Sequence, residues 1–538
     1  YPMGTSLLEI SRDLNIKTEH MLCGAIVNNQ VRELSFCLVK TKQVEFFDVS
    51  HPDGIRMYIR SLIFVLYAAL KEVFPHVSLR IQKGISNGYF CELTGFGREI
   101  TQPDIDLIKK EMRSLLSRDI PFIKRGLLTE DAMGHLIQEG LEEKALLFEQ
   151  QGHLFSSLYF LEDLGNYFYG HLLPSTGYIS TFDLVSYFDG LLLKIPQPEK
   201  FDQLQKAPEQ NKLFEIYEEH KDWAQLLNVS SISNLNEFTL KKQGGDIIKI
   251  AEALHEKKIA EIANMIYARN GDVKVILVAG PSASGKTTFS KRLGVQLAVN
   301  GLHPYQISLD NYFVDRELTP RDEHGDYDFE ALEAIDIGFF NQQLLDLMRR
   351  KEVRLPVFDF HHGKRYMNGD RMRLQTGDIL IVEGIHGMNP RLLTDVKEKN
   401  IYRVFISALT QISFDEHTHI STSDNRLIRR ITRDSKYRGY GASETIRRWP
   451  SVRRGEERNI FPYQENADVM FNSATLYELA VLKKYADPLL KQVLENQPEY
   501  AEASRLLKFL SYFKPIDDHE IPPTSLLREF LGGSSFLY

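Results

Sequence analysis

The chain has few cysteines and no long apolar run. Only three cysteines occur among its 538 residues, and none has C-x-x-C spacing, which argues against a disulfide framework and against a cysteine-bound zinc site. The longest apolar run, residues 62–70, is far shorter than the roughly 18 residues that a membrane-spanning helix needs. No signal peptide and no low-complexity tract are visible, so we expect a cytoplasmic protein without a membrane partner.

Basic residues are scarce in the first part of the chain. Residues 1–240 hold 23 Lys and Arg against 32 Asp and Glu, a net charge of −9, whereas the remaining residues hold 42 against 41. Proteins that bind nucleic acids typically present a basic face. We therefore expect no nucleic acid among the partners of the N-terminal part. The chain is too long for a single core, so about two to four domains are expected.

Hydrophobic periodicity indicates small α+β modules followed by an α/β domain. The predicted helices are residues 6–14, 55–73, 105–116, 247–270, 476–494 and 499–513, and the predicted strands are residues 25–27, 44–49, 153–160, 178–187 and 273–278. The pattern changes near residue 240, where we place the main boundary. The last 63 residues, 476–538, are rich in predicted helix and are treated as a C-terminal extension.

A phosphate-binding loop follows the strand predicted at residues 273–278. The G-x-x-x-x-G-K-[ST] pattern spans residues 280–287, and a helix is predicted to begin at Thr287. The glycines allow backbone N–H groups to surround phosphates, and the helix N-terminus adds partial positive charge. Lys286 is expected to reach the β- and γ-phosphates, and the Thr287 hydroxyl to bind Mg²⁺. The residues predicted to bind ATP are Gly280, Ser282, Ala283, Ser284, Gly285, Lys286, Thr287 and Thr288.

Two carboxylates stand at or just beyond the ends of further apolar strands. The strand predicted at residues 305–309 leads into a loop at Asp310, and residues 378–382 lead to Glu383. Because ligands bind at the carboxyl ends of strands in an open parallel sheet, both side chains are expected beside the phosphates. Asp310 is placed to accept a proton from an attacking hydroxyl. Glu383 is expected to hold Mg²⁺ or its water.

Four arginines share one face of a predicted helix. Arg426, Arg429, Arg430 and Arg433 stand at positions i, i+3, i+4 and i+7. Residues 421–460 hold 11 basic against 5 acidic residues. A charged helix face is usually a solvated surface, but beside a phosphate-binding loop it favours a clamp for the transferred phosphate. Arg429 and Arg433, together with Lys286 and Asp310, are the predicted catalytic residues.

These motifs, in this order, resemble the uridine kinase/phosphoribulokinase family. The matching segments are residues 280–288, 308–313, 356–360, 383–384 and 426–434. The resemblance covers about residues 270–475 and implies a five-stranded parallel sheet flanked by helices. It further implies that Asp310 activates the 5′-hydroxyl of a nucleoside and that Tyr312 and Arg426 face this acceptor. Either Asp328 or Glu330 should bind the ribose hydroxyls.

The sequence departs from the family where the pyrimidine base is expected to be read. The family has a Tyr-Asp-Phe-x-x-His-x-Arg stretch, whereas this chain reads Phe358-Asp-Phe-His361-His362-Gly-Lys-Arg365. A phenol is replaced by Phe358, and the aligned histidine is a glycine, with His361 and His362 nearby. Loss of a phenol and an imidazole removes hydrogen bonds that discriminate between bases. Uridine as the acceptor is therefore open, although the kinase chemistry is not affected.

The N-terminal part is similar to threonyl-tRNA synthetase. Segments at residues 1–10, 27–34 and 47–54 resemble its TGS domain, and segments at 88–93, 105–116, 121–122 and 174–177 resemble its editing domain. This resemblance implies a TGS-like domain at residues 1–55 and an editing-like domain at residues 56–240. The four ligand positions of the editing domain are here Arg60, Phe64, Phe168 and Leu172. Because a hydrolytic or metal site needs converging ligands, we expect this part to be catalytically silent.

Three functions remain open after the sequence is read. The first is an ATP-dependent nucleoside kinase, formed by residues 241–475. The second keeps the chemistry and changes the acceptor to a purine nucleoside or another small polyol. The third is a translation-linked regulator that uses nucleotide as a switch, which would need neither an acceptor base at Asp310 nor a phosphate clamp. The N-terminal part is expected to be a scaffold, a surface for homo-oligomer formation or a regulatory ligand site, and the sequence does not choose among these.

Overall fold

The computed structural model describes residues 1–198, 200–206, 208–269, 271–323 and 325–537. The strands are β1 (Thr5–Ser6), β2 (Leu22–Val27), β3 (Gln30–Glu33), β4 (Cys37–Leu38), β5 (Val44–Asp48), β6 (Ser78–Ile85), β7 (Gly88–Thr94), β8 (Phe122–Leu128), β9 (Phe155–Leu161), β10 (Leu164–Asn166), β11 (Asp183–Tyr187), β12 (Gly190–Lys194), β13 (Val275–Ala279), β14 (His303–Ser308), β15 (Val353–Arg354), β16 (Val357–Asp359), β17 (Lys364–Tyr366), β18 (Arg371–Met372), β19 (Asp378–Glu383), β20 (Ile401–Ser407), β21 (Ser413–Asp415), β22 (Thr418–His419) and β23 (Val469–Asn472). The helices are α1 (Leu7–Asp13), α2 (Pro52–Val73), α3 (Gln102–Ser117), α4 (Thr129–Gln138), α5 (Glu142–Gln151), α6 (Asn211–Leu226), α7 (Ile232–Leu240), α8 (Gly244–Tyr267), α9 (Lys286–Val299), α10 (Ile337–Met348), α11 (Thr422–Tyr437), α12 (Ala442–Asn459), α13 (Glu478–Leu490), α14 (Tyr500–Ser511) and α15 (Arg528–Leu531).

A five-stranded parallel sheet organises the C-terminal part of the chain. Its strand order is β14-β19-β13-β20-β23, and every neighbouring pair is parallel. The central strand β13 is buried along its whole length, as expected of a strand covered by helices on both faces. Two separate apolar clusters lie against the sheet, and they take alternate residues of β13. The predicted α/β fold with a parallel sheet flanked by helices is confirmed.

The N-terminal part contains three antiparallel sheets. Their strand orders are β3-β2-β5, β11-β12-β7-β6 and β10-β9-β8. The 22-residue helix α2 contributes many of the buried apolar side chains between them. Its N-cap is His51, whose side chain accepts from the Asp53 backbone N–H, and Pro52 occupies the first helical turn, where a missing N–H costs nothing.

The two parts share one apolar cluster and two buried polar networks. The cluster contains residues of α2 together with residues of α11, α13 and α14. In the first network the fully buried Lys144 ammonium lies 3.7 Å from the Asp415 carboxylate on the β21–β22 hairpin. In the second, Arg56 of α2 pairs at 3.2 Å with Glu502 of α14, and Arg505 pairs both with Glu502 and, at 2.7 Å, with Asp424 at the start of α11. The N-terminal part therefore contacts the helix that carries the arginines.

The predicted secondary structure is confirmed in type and corrected at several ends. All six predicted helices are present, with end shifts of about two to four residues in most cases, and the last predicted residue of the fourth, Asn270, lies outside the described residues. The strand predicted at residues 178–187 is shorter and begins at Asp183. Helices α4 to α7 were not predicted. Within the described ranges, no helix is both long and apolar enough to cross a membrane.

Candidate active site

The phosphate-binding loop connects β13 to α9. Gly280 lies so close to β20 that an added Cβ would be 2.0 Å from the Ile406 carbonyl oxygen, so no larger residue fits there. Gly285 has φ of +84°, a left-handed conformation that favours glycine. Ala283 also has a positive φ, +59°. The Ser284 hydroxyl is buried in the loop without a hydrogen-bond partner among the described residues, which fits a loop built to receive an oxygen-rich ligand.

Lys286, Thr287 and Glu383 lie together at the carboxyl ends of β13 and β19. The Lys286 ammonium donates to the Pro281 carbonyl oxygen at 3.1 Å. The Thr287 hydroxyl donates to Glu383 at 3.4 Å, and the Ser308 hydroxyl donates to the other oxygen of the same carboxylate at 3.0 Å. Burial and the neighbouring Asp310 raise the pKa of Glu383 to about 7. A hydroxyl and a buried carboxylate at this distance form an oxygen donor pair that suits Mg²⁺.

Asp310 follows β14 in a short 3₁₀ turn, Leu309–Tyr312. Its half-buried carboxylate makes no hydrogen bond or ion pair within the described ranges. Burial lowers the pKa of Lys286, and the carboxylates of Glu383 and Asp310 oppose this shift. Asp310 is therefore close to both Lys286 and Glu383, as the strand ends predict. An unpaired carboxylate at this position can accept a proton.

Arg426 and Arg429 bind the backbone of the phosphate-binding loop. Each is fully buried on α11. Arg426 pairs with Glu456 and donates to the Ser282 carbonyl oxygen at 2.8 Å. Arg429 pairs with Glu478 at 2.6 Å and donates to the Ala283 carbonyl oxygen at 3.3 Å. Because their charges are paired and their donors bind loop carbonyl oxygens, both side chains support the loop. The predicted contacts of Arg426 with the acceptor and of Arg429 with phosphate stay predictions.

Arg433 is the last of the four arginines on α11, and Arg438 follows the end of that helix. Both lie near charged groups of the site. Arg433 pairs with Asp434 at 2.8 Å and is among the charges that act on Lys286. Arg438, which the sequence reasoning missed, has a half-exposed side chain, and Asp310 is among the charges that act on it. Arg438 is the C-cap of α11, and its spacing from Arg433 does not place it on the face of the other arginines.

Arg430 donates to a side chain of the phosphate-binding loop, whereas Arg426 and Arg429 donate to backbone carbonyl oxygens. Its guanidinium donates to the Ser282 hydroxyl at 3.0 Å and to Asp434 at 3.2 Å. Burial raises the pKa of Glu330 to about 7, and Arg430 opposes this shift. Glu330 and Asp328 share one turn, in which Asp328 accepts from the Glu330 backbone N–H at 3.2 Å. Asp328 and Glu330 are the two predicted ribose-binding carboxylates, and Arg430 is among the charges that act on Glu330.

Tyr312 is a core residue in this structure, and its predicted contact with the acceptor stays a prediction. Its side chain is 1% exposed and packs edge-on against Phe340 with ring centroids 5.0 Å apart. Its hydroxyl donates to Gln343 at 2.9 Å. The ring contact and the hydrogen bond both hold the loop after β14 against α10.

The predicted base-reading segment forms the exposed hairpin β16–β17. His362 makes its hydrogen bond to Asp359, 2.6 Å away in the same turn, and Arg365 pairs with Asp336 at 2.9 Å. His361 is exposed. Phe358 is buried against Phe313 with ring centroids 5.6 Å apart. His361, His362 and Arg365 thus have local partners or face solvent, and their predicted contacts with the substrate stay predictions.

Apolar packing fills the positions that correspond to the editing ligands. The rings of Phe64 and Phe168 are 5.3 Å apart in the core of the N-terminal part. Leu172 is buried beside them, and Arg60 donates to the His171 carbonyl oxygen at 3.0 Å. Within the described ranges, no group of three or more His, Cys, Asp or Glu side chains is arranged to hold a metal ion.

We expect the purified protein to contain no stoichiometric zinc and to release no amino acid from mischarged tRNA, because these positions offer no metal ligand or hydrolytic group. Elemental analysis of the full chain and a deacylation assay with aminoacylated tRNA measure both. One zinc per chain, or deacylation above the rate without protein, would contradict the reading of this part as catalytically silent.

Replacement of Thr287 with valine is expected to raise the Mg²⁺ concentration needed for half-maximal activity steeply, because the hydroxyl beside Glu383 is lost while the shape is kept. Activity measured across a Mg²⁺ titration tests this. Thr394→Val is a matched control, because that hydroxyl bonds only a surface Asp395. An unchanged Mg²⁺ dependence of Thr287→Val would count against its role as a ligand.

Comparisons with known proteins match the two parts of the chain to different relatives. Residues 275–480 match the sequence model of the Phosphoribulokinase / Uridine kinase family. The uridine kinase of Limosilactobacillus reuteri (strain DSM 20016) is 29% identical over 209 residues, which are 38% of this chain and 86% of that protein. A Bacillus stearothermophilus structure described as a possible uridine kinase has 17% identity and a TM-score of 0.28, covering 40% of this chain and 98% of its own.

The other part of the chain is similar to a different protein. A threonine–tRNA ligase of Desulforamulus reducens is 26% identical over 187 residues, which are 35% of this chain. The match spans 29% of the length of that ligase. The resemblance of the two parts to two unrelated protein families, as predicted from the motifs, is confirmed.

Proposed function

We propose that this chain, whose C-terminal region carries a phosphoribulokinase/uridine kinase family domain, transfers the γ-phosphate of ATP to the 5′-hydroxyl of a nucleoside-type acceptor. One observation carries the proposal. Lys286, Thr287, Glu383 and Asp310 come from three separate segments and meet at the carboxyl ends of β13, β14 and β19. This set contains a phosphate-binding cation, two metal-binding oxygens and a free carboxylate, which phosphoryl transfer to a hydroxyl requires.

The reaction is an attack of the acceptor oxygen on the γ-phosphorus. The new P–O bond forms as the bond to the β-phosphate oxygen breaks, and ADP leaves with the electron pair. Asp310 takes the proton of the attacking hydroxyl. Lys286 neutralises the charge that develops on the β- and γ-phosphates, and Arg433 and Arg438 approach the same region from α11. Bound Mg²⁺, held by Thr287 and Glu383, would supply further charge neutralisation.

The acceptor is proposed as a small molecule with a ribose-like group. Glu330 and Asp328 offer carboxylates for vicinal hydroxyls, and Glu330 lies near Arg430 and Glu456. A purine nucleoside or another small polyol is the second candidate. The departure of residues 358–365 from the family's base-reading stretch supports this alternative, because a phenol and an imidazole that discriminate between bases are absent from their aligned positions.

The N-terminal part is proposed as a scaffold or regulatory part of a cytoplasmic enzyme. Its contacts support such a role, since Arg56 of α2 lies 3.2 Å from Glu502, which in turn pairs with Arg505. Arg505 pairs with Asp424 in the first turn of the arginine helix. Consecutive ion pairs therefore connect the N-terminal part to α11. Homo-oligomer formation through this part is a further proposal.

An acceptor screen tests the proposed function. The full chain is incubated with ATP and Mg²⁺ and, separately, with each common ribonucleoside, deoxyribonucleoside and pentose, and ADP formation is followed. We expect one chemical class to accelerate ADP formation well above the rate with ATP alone. Lys286→Ala is the matched control for contaminating kinases. ATP consumption that no hydroxyl compound accelerates would contradict the kinase assignment and favour a nucleotide switch.

A further inference from the structure

The C-terminal extension places a carboxylate on the phosphate-binding loop. Glu529 of α15 accepts a hydrogen bond from the Thr288 backbone N–H at 3.2 Å and from the Thr288 hydroxyl at 2.7 Å. These two residues are 241 positions apart in the sequence. No other element of the C-terminal extension provides a charged group to this end of α9 in the hydrogen bonds of the described residues.

The Thr288 N–H is one of the donors that the loop offers to phosphate. The first N–H groups of a helix have no acceptor within the helix, and with the helix dipole they form an anion site. Helix α9 begins at Lys286, so the Thr288 N–H belongs to this set. The Glu529 carboxylate therefore occupies a position suited to an oxygen of a bound nucleotide. It is also among the charges that act on Lys286 and Glu383.

Other hydrogen bonds hold the segment around Glu529 in place, so the contact between Glu529 and Thr288 is part of a fixed arrangement. The Ser525 hydroxyl donates to the Glu252 carboxylate at 2.6 Å, and Arg528 donates to the Ile521 carbonyl oxygen at 2.7 Å. From the other side, Lys436 of α11 donates to the Leu531 carbonyl oxygen at 2.7 Å. Phe530 is buried under the Arg429 guanidinium, 4.9 Å from its ring centroid.

We propose that Glu529 competes with the phosphate groups of the nucleotide for the start of α9, and that the C-terminal extension thereby regulates nucleotide affinity. The inference rests on the proposed function, because it takes the loop to be a nucleotide site. Since the backbone of α15 is held by other bonds, binding requires the Glu529 side chain to leave Thr288 while the extension stays in place. The negative charge then remains near the phosphates and opposes them.

Equilibrium binding to the full chain tests this. The dissociation constants of ATP, ADP and adenosine are measured by calorimetry for the wild type, Glu529→Ala and Glu529→Gln. Removal of a charged hydrogen-bonding competitor is expected to tighten ATP and ADP binding about tenfold. Adenosine has no phosphate, so its affinity should not change. Glu520→Gln is the control, because that carboxylate lies in the same extension but pairs with Lys249 at 2.8 Å.

The outcomes separate this inference from the proposed function. ATP affinity of Glu529→Ala equal to or below that of the wild type overturns the competition and leaves the kinase assignment intact. An equal gain for adenosine and ATP also overturns it, because the effect would not come from phosphate. If neither the wild type nor the variants bind any nucleotide, both proposals fail. Thermal unfolding of each variant shows whether it is folded. If Glu529→Ala does not fold, the affinities of Glu529→Gln, which keeps the side-chain volume, decide the outcome.

Discussion

Lys286→Ala is expected to lower kcat by about 10³-fold, the effect of removing one preorganised donor from the charge of a transition state. The ammonium lies in the loop with Glu383 and Asp310 nearby and makes its one hydrogen bond to the Pro281 carbonyl. Among the described residues Lys286 makes no ion pair within 4.0 Å, so its loss should leave the fold intact. Steady-state kinetics with the acceptor found by the screen measure the effect, and circular dichroism checks the fold.

Lys399→Ala serves as the control for removal of a lysine. Its ammonium pairs with Asp272 at 3.3 Å on an exposed surface, where such pairs contribute little. We expect its kcat to equal that of the wild type. If Lys286→Ala retained near-full turnover while folded, the loop would not be the site of phosphoryl transfer.

Asp310→Asn is expected to lower kcat by about 10²–10⁴-fold, the usual contribution of a general base. Asparagine keeps the size of the side chain and removes its capacity to take a proton. The KM for ATP should barely change, because Asp310 is assigned to the acceptor and not to the triphosphate. Since the Asp310 carboxylate makes no hydrogen bond or ion pair among the described residues, the substitution breaks no bond that stabilises the fold.

Asp346→Asn is the matched control, since that carboxylate pairs with Lys351 on the surface of α10. It should leave both kinetic constants unchanged. A kcat of Asp310→Asn above about a tenth of the wild-type value would place the base elsewhere. Asp328 would then be the next residue to replace, and the role of the turn after β14 would have to be abandoned.

The parts of the site that could be predicted are those fixed by local sequence. The pattern of residues 280–287 specifies a strand, a loop and a helix within one short segment, and the structure has all three. Asp310 and Glu383 could be placed because they stand where apolar strands end, and parallel strands end at the same edge of a sheet. In both cases a short stretch of sequence contains the whole reason for the position.

The parts that could not be predicted depend on which way a helix faces. The spacing of Arg426 and Arg429 correctly puts them on one side of α11, but the same spacing fits a face turned to ligand or a face turned to the loop backbone. Their partners Glu456 and Glu478 lie 30 and 49 residues further on, and only packing of α12 and α13 brings them there. The burial of Tyr312 likewise depends on packing, because its partner Gln343 belongs to α10.

The contact between Glu529 and Thr288 could not be predicted from the sequence either. Residues 528–531 form a helix of a single turn with no motif. Its position follows from the burial of Leu527, Phe530 and Leu531 in the apolar cluster that also contains α11 and α13. The C-terminal extension, which carried no functional expectation, thus provides a carboxylate that accepts hydrogen bonds from Thr288 in the first turn of α9.

The most direct test of the central claim is the fate of a labelled γ-phosphate. ATP labelled at that position is incubated with the full chain, Mg²⁺ and the acceptor identified by the screen, and the products are separated. We expect the label to be recovered in a phosphate ester of the acceptor, one ester per ADP formed, and Asp310→Asn to form this ester about 10²–10⁴-fold more slowly. Recovery of the label only as inorganic phosphate would contradict the account, because water and not a bound hydroxyl would then be the acceptor.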